Sequence, residues 1–154
     1  MINNDVLRGV RYILNISEFI LVDIAKLGGA DVTQAKMNAY IKKDDEPGFE
    51  PCPQNLMARF LNGLIYKMRG KDESRPALQV DLPTNNVVMK KLRVAFELKD
   101  EDIIDILKSV DFDITKSELG ALFRKEGHVN YRVCGDQLLR NFLKGLALKV
   151  RGPT

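Results

Sequence analysis

The sequence predicts an all-α protein made of two tandem four-helix repeats. Three observations carry this reading. Apolar residues recur at helical spacing along most of the chain, strict apolar–polar alternation is scarce, and the second half repeats the first. When Asn3 is laid on Asn85, residues 3–70 align with 85–152 without a gap, and roughly 20 of the aligned pairs are identical. The densest block, Cys52-x-x-x-Leu56-x-x-x-Phe60-Leu61-x-Gly63-Leu64-x-x-Lys67-x-Arg69-Gly70, returns as Cys134, Leu138, Phe142, Leu143, Gly145, Leu146, Lys149, Arg151 and Gly152.

Each helix has a local reason. Val6, Val10, Ile13 and Leu14 mark the first, with Asn3 or Asn4 expected as its cap, because a short side-chain oxygen accepts an orphan backbone N–H. Ser17 caps a second that carries Ile20, Leu21, Ile24 and Leu27 and stops at Gly28-Gly29. Asp31-Val32-Thr33 opens a third with Met37, Tyr40 and Ile41; 44–48 is an acidic loop. Leu56, Phe60, Leu61, Leu64 and Ile65 form the broad stripe of the fourth. The second half follows suit: Val88, Met89, Leu92, Val94, Ala95 and Phe96; then Ile103, Ile104, Ile106 and Leu107; then a capping box Thr115-x-x-Glu118 before Leu119, Leu122 and Phe123; then 137–150.

The chain thus divides into a first repeat (1–70), a linker (71–84) and a second repeat (85–152). The linker carries two prolines and mixed charge, and its alternating Leu78, Val80 and Leu82 are expected to lie partly buried along the surface. Gly63 and Gly145 sit mid-helix, where glycine is worth roughly 1 kcal/mol less than alanine. Their repetition predicts a close backbone approach, on a surface that pseudo-two-fold packing of one repeat on the other would use twice.

Composition excludes several function classes. A length of 154 residues is too short for a large barrel enzyme. Lys+Arg 24 against Asp+Glu 21 leaves a net charge of +3, a weak footprint for a dedicated polyanion binder. Two cysteines and one histidine rule out a disulfide scaffold, a thiolate-built zinc site or a multi-histidine site. The opening residues lack a secretory pattern and no apolar run approaches membrane length, so the expectation is a cytoplasmic chain with free thiols and no membrane contact. No metal or other cofactor is expected.

Asn4-x-x-Leu7-Arg8-x-Val10-Arg11-Tyr12-Ile13-Leu14, Phe60-Leu61-Asn62-Gly63-Leu64-Ile65-Tyr66, Arg69-Gly70-Lys71-Asp72-Glu73 and Cys134-Gly135-Asp136-Gln137-x-Leu139-Arg140-Asn141-Phe142-Leu143 together resemble the YehS-like family of small bacterial proteins. The resemblance covers essentially the whole chain. It implies a domain of unknown function occurring twice per chain and a bacterial, cytoplasmic source, and it brings no catalytic residues with it.

The candidate sites are few. Cys52 and Cys134 begin the fourth helices, where a helix dipole lowers a thiol pKa and would make a reactive pair; the competing reading is a small packed residue beneath the preceding loop. Arg8, Arg11, Lys90, Lys91 and Arg93 form either a phosphate-binding face or, for Arg11 and Arg93, structural ion pairs with Asp23 and Asp105. Arg69 and Arg151 end the fourth helices and suit the dipole there. Residues 24–36 have the form of a helix-turn-helix, which would bring Gln34, Lys36 and Asn38 towards bases, although Asp111 and Glu118 spoil the second copy for DNA. The favoured reading is a non-enzymatic interaction or regulatory module, which meets a protein partner or a second copy through exposed apolar fourth helices and basic ends. The alternative is an RNA- or DNA-binding protein using basic helices.

Overall fold

The structure, a computed structural model, describes residues 1–152. The described residues form eight helices and no strand: α1 (Asn3–Leu14), α2 (Glu18–Leu27), α3 (Gln34–Tyr40), α4 (Gln54–Arg69), α5 (Asn85–Ala95), α6 (Asp100–Lys108), α7 (Lys116–Leu122) and α8 (Asp136–Arg151).

Most helix ends follow the expected chemistry. Ser17 accepts the Ile20 N–H at 3.3 Å and Thr33 that of Lys36 at 3.1 Å. Thr115 and Glu118 cap reciprocally at 3.1 and 3.0 Å. α1 departs from expectation. Its N-cap is Ile2, whose N–H donates to the Asp5 carboxylate at 3.0 Å, and neither Asn3 nor Asn4 caps it. Both asparagines are drawn elsewhere, as described below. α1 ends on Asn15 (φ 53°), and the residue after the α5 C-cap, Glu97, adopts the same left-handed conformation (φ 54°) at the matching position.

Within each repeat the second helix crosses the fourth at a glycine. A Cβ on Gly63 would fall 1.9 Å from the Ile24 carbonyl oxygen, and one on Gly145 would fall 2.3 Å from that of Ile106. On the α2 side, a Cβ on Gly28 would meet the Arg59 carbonyl at 1.7 Å. The close approach is therefore real but intra-repeat, which corrects the expectation that this surface joins the two repeats.

The repeats are joined differently. α1 lies along α8 and α5 along α4, while α1 and α4, like α5 and α8, only brush past each other. Each first helix thus packs on the fourth helix of the other repeat. Both pairs are parallel. Gly9 of α1 faces Leu143 of α8, and beyond it Arg151 donates to the Tyr12 carbonyl at 2.7 Å. In the other pair Lys91 meets Asn62 at 2.7 Å and Arg69 donates to the Val94 carbonyl at 3.1 Å. Tyr12 and Val94 are matched positions, so each fourth-helix arginine caps the last turn of the partner repeat's first helix, where the carbonyls are orphaned.

Parallel packing explains the linker. A chain leaving the end of α4 must return along its whole length, on the order of 24 Å for 16 residues, before α5 can start beside it. Residues 76–84 make that return without helix or turn. They are held by polar contacts more than by apolar ones: the Leu78 N–H donates to the Tyr66 hydroxyl at 2.8 Å, and Asn62 Nδ2 to the Gln79 carbonyl at 3.0 Å. Of the three alternating residues only Leu78 is half-buried; Val80 and Leu82 are exposed.

One continuous core runs through both repeats, with Phe60, Phe142, Leu7, Leu21, Leu64 and Leu92 fully buried. Val6, Leu7, Val10 and Ile13 of α1 are buried in it, each worth about 1.5–3 kcal/mol relative to exposure. The apolar stripe of α4 is likewise buried, against the expectation of an exposed fourth-helix face; the last turns of the fourth helices leave Met68 of α4 and Leu148 and Val150 of α8 open.

Gly63→Ala is expected to lower stability by several kcal/mol despite its better helix propensity, because backbone must move to admit the methyl group. Gly120→Ala in α7, with nothing within 4 Å of its would-be Cβ, is expected to raise stability by up to about 1 kcal/mol. Denaturant unfolding of the two variants reads the contrast.

Candidate interaction surface

The repeated Asn-Asn pair is a structural clasp. Asn4 is buried on α1; its Nδ2 donates to the Tyr40 and Glu50 carbonyls at 2.9 and 2.8 Å, and its Oδ1 accepts the Cys52 N–H at 3.0 Å. Asn86 repeats all three bonds with Leu122, Arg132 and Cys134 at 3.0, 2.8 and 2.9 Å. Asn3 and Asn85 add bonds to the Cys52 and Cys134 carbonyls at 3.1 and 3.0 Å. The loop before each fourth helix has no regular partner for its backbone, and one buried side-chain amide satisfies it.

This clasp fixes the cysteines. Cys52 and Cys134 are 6% and 1% exposed. Burial pushes Cys52 up to about 12 and Cys134 up to about 11 from the ordinary value of 9.0. Desolvation outweighs the helix dipole and favours the protonated thiols, which agrees with the reading of small packed residues beneath the loop and not with that of a reactive pair. His128 is exposed, and its Nδ1 accepts the Asn130 N–H at 3.0 Å.

The basic candidates do not assemble into one face. Arg8 pairs with Asp5 and donates to the Lys42 carbonyl at 2.9 Å. Arg11 is exposed and makes only a 3.4 Å contact to the Ile16 carbonyl; it does not meet Asp23. Arg93 pairs with Asp100 at 2.9 Å, not with Asp105, and lies over the Phe123 ring at 4.8 Å. The ion-pair reading thus holds for Arg93 with a different carboxylate, nearer its own helix end. Lys36 pairs with Glu50 at 2.9 Å, while Gln34 and Asn38 both donate to Glu18 at 3.1 and 3.0 Å. The supposed recognition helix therefore spends its polar side chains on acidic neighbours. Lys90 lines a separate cleft with Arg124 and Lys125, and Lys91 is buried. Arg69 pairs with Glu97 at 3.3 Å besides capping α5. Among the described residues no group of three or more His, Cys, Asp or Glu is placed to hold a metal ion.

What the sequence reading missed is a pair of grooves where the two copies differ. Between α4 and α5, Lys91 fills the groove. Its ammonium donates to Asn62 Oδ1 at 2.7 Å and faces Asp81 at 3.6 Å, and the linker covers it. Burial lowers the Lys91 pKa, an effect partly opposed by Asp81. Between α1 and α8 the matching residues are Gly9 for Lys91, Lys144 for Asn62 and Leu148 for Tyr66. There the groove is open, about 470 Å³, with Ile13, Leu143, Ala147 and Leu148 along it and Arg8, Lys144 and Arg151 at its rim. The adjoining cleft gathers Arg8, Arg11 and Arg151 around Tyr12, with Arg151 over the Tyr12 ring at 4.2 Å. Two sequence signals pointed here: a glycine inside α1 with no close-packing need, and lysine and glycine exchanged at one repeat position.

Asn86→Ala is expected to cost about 3 kcal/mol or more by stranding three buried backbone groups, and Asn85→Ala about 1 kcal/mol; thermal unfolding compares them. The thiols give a pH signature. Because their folded pKa values are raised, the stability they lend is complete below about pH 9 and is lost as pH rises towards 11–12. A Cys52→Val/Cys134→Val variant should therefore lose less stability than the parent chain between about pH 8 and 11 in a denaturant series. In the parent, Ellman's reagent should react only on unfolding.

The family described as "Protein of unknown function (DUF1456)" matches residues 3–70 and again 85–152. The "Uncharacterized protein YehS" of Escherichia coli (strain K12) is 48% identical over 150 residues, which is 97% of this chain and 96% of that protein. No solved structure matches. With both repeats matched and a relative of this similarity covering nearly the whole chain, the protein belongs to the DUF1456 family.

Proposed function

We propose that the chain is a non-enzymatic binding module that engages a protein partner through the α1/α8 groove. The observation that carries this reading is the broken duplication. The repeated residues Asn3/Asn85, Asn4/Asn86, Cys52/Cys134, Gly63/Gly145 and Arg69/Arg151 all serve the fold in both copies. Gly9 and Lys144 break the pattern: their counterparts Lys91 and Asn62 bond to each other and fill their groove, whereas Gly9 and Lys144 open an apolar channel with a cationic rim. Such a channel, with a few charged groups at its edge, has the anatomy of a recognition groove. No helix among the described residues is long and apolar enough to cross a membrane. A cytoplasmic setting, in which both thiols stay free, fits the binding role.

One observation favours a second reading, phosphate binding: Arg8, Arg11 and Arg151 share a cleft. Against it, Arg8 and Arg151 are already engaged by Asp5 and by backbone carbonyls. Selection of a displayed peptide library on the full chain tests the first reading, with labelled RNA and duplex DNA titrated in parallel at low and physiological salt. The expected result is a set of enriched peptides that compete with one another and lose binding in Leu148→Glu. Oligonucleotide binding that falls steeply with salt and disappears in Arg11→Ala, with no peptide enriched, would transfer the function to nucleic acid.

A further inference from the structure

The α1/α8 groove has a filled counterpart in the same molecule. Its mate between α4 and α5 holds an extended stretch of this chain, residues 78–82, which runs antiparallel to α4. Leu78 lies against Tyr66, Gln79 against Asn62, and Val80 to Leu82 beside Ala58 and Asn55. In that groove the one buried cation, Lys91, is answered by the carboxylate of Asp81 on the covering segment.

The two grooves share a helix geometry, and three exchanges set them apart. Gly9 withdraws the side chain that Lys91 uses to fill the space, and a Cβ there would only touch the flexible end of Leu143 at 3.4 Å. Lys144 replaces the amide of Asn62 with a pure donor, exposed and without an ion pair among the described residues. Leu148 replaces the Tyr66 hydroxyl that accepts the linker N–H, and so extends the apolar floor. Together they leave a groove that is unfilled, has a more apolar floor and keeps its cation, Lys144, at the open rim, so that a covering strand would meet it with a carboxylate, as Asp81 meets Lys91, and with an apolar side chain. The glycine also weakens α1 by up to about 1 kcal/mol relative to alanine, a loss that packing there does not require.

We infer that the α1/α8 groove takes an extended acidic peptide segment of a partner protein, laid antiparallel along α8 as residues 78–82 lie along α4, with a carboxylate at Lys144 and an apolar side chain over Ala147 and Leu148. The inference rests on the binding-module reading and narrows it. A carboxylate of the segment faces the Lys144 ammonium, a rim cation without an ion pair among the described residues, which gives register as well as charge selection.

The test is fluorescence polarisation on the full chain with a labelled peptide of residues 76–84, a more acidic Gln79→Glu form and an Asp81→Lys form. The acidic peptides should saturate, the Gln79→Glu form tighter, and Asp81→Lys should weaken binding about tenfold. Gly9→Lys in the protein, which rebuilds the filled groove, should weaken it at least as much while leaving the melting curve cooperative. Lys144→Glu should reverse the preference between the acidic and Asp81→Lys peptides. Binding undiminished in Gly9→Lys, no saturation by any of the three peptides, or displacement of the peptide by an RNA or DNA oligonucleotide would overturn the proposal. Library-selected peptides that bind elsewhere on the chain would sink this inference alone and leave the binding module standing.

Discussion

Everything in this molecule follows from the parallel pairing of the first helix of one repeat with the fourth helix of the other. A repeat of about 70 residues is at the lower edge of what can fold alone. Here the two repeats share one core: α1 lies along α8 and buries Val6, Leu7, Val10 and Ile13 in that core, and α5 lies along α4. The pairing locks at its far end through two matched arginines, each of which donates to the last carbonyls of the opposite helix. It also dictates the linker, since helices that run side by side in the same direction leave the chain no short connection.

Two further repeated devices hold each four-helix unit in shape. The glycine contact lets α2 touch the backbone of α4, and the asparagine clasp gives the irregular loop before the fourth helix its hydrogen bonds. Both are unforgiving, because any side chain added at the glycine would run into backbone and because the clasp satisfies buried peptide groups that nothing else reaches. Residues under such constraints persist in both copies for structural reasons. The informative positions are then those where one copy has been released, and these converge on Gly9, Lys144 and Leu148.

The helices, their order and most of their caps were legible in the sequence, because helical period and short polar caps are local signals. The repeat was legible because identity at one offset needs no structure. The pairing of α1 with α8 was not, since a pattern of buried faces does not say which helix covers which. Asn3 and Asn4 look like caps from sequence, and only the loop's unmet carbonyls explain why they turn inward. Cys52 and Cys134 stand near helix starts, a position that suggests activation; the depth of burial, which the sequence does not encode locally, reverses the sign. Lys91 shows the same limit: within a basic run it reads as surface charge, yet its partners Asn62 and Asp81 lie far from it in sequence. The open groove surfaced only once the two copies were compared position by position in space.

The interlocked core is tested most directly by preparing residues 1–70 and 85–152 as separate chains and following each, and their equimolar mixture, by circular dichroism melting with mass measured in solution. The account predicts that neither fragment shows a cooperative transition as a monomer and that mixing restores one, in a one-to-one complex. A monomeric fragment that melts cooperatively on its own, as the full chain is expected to, would show that each repeat is complete and would contradict it.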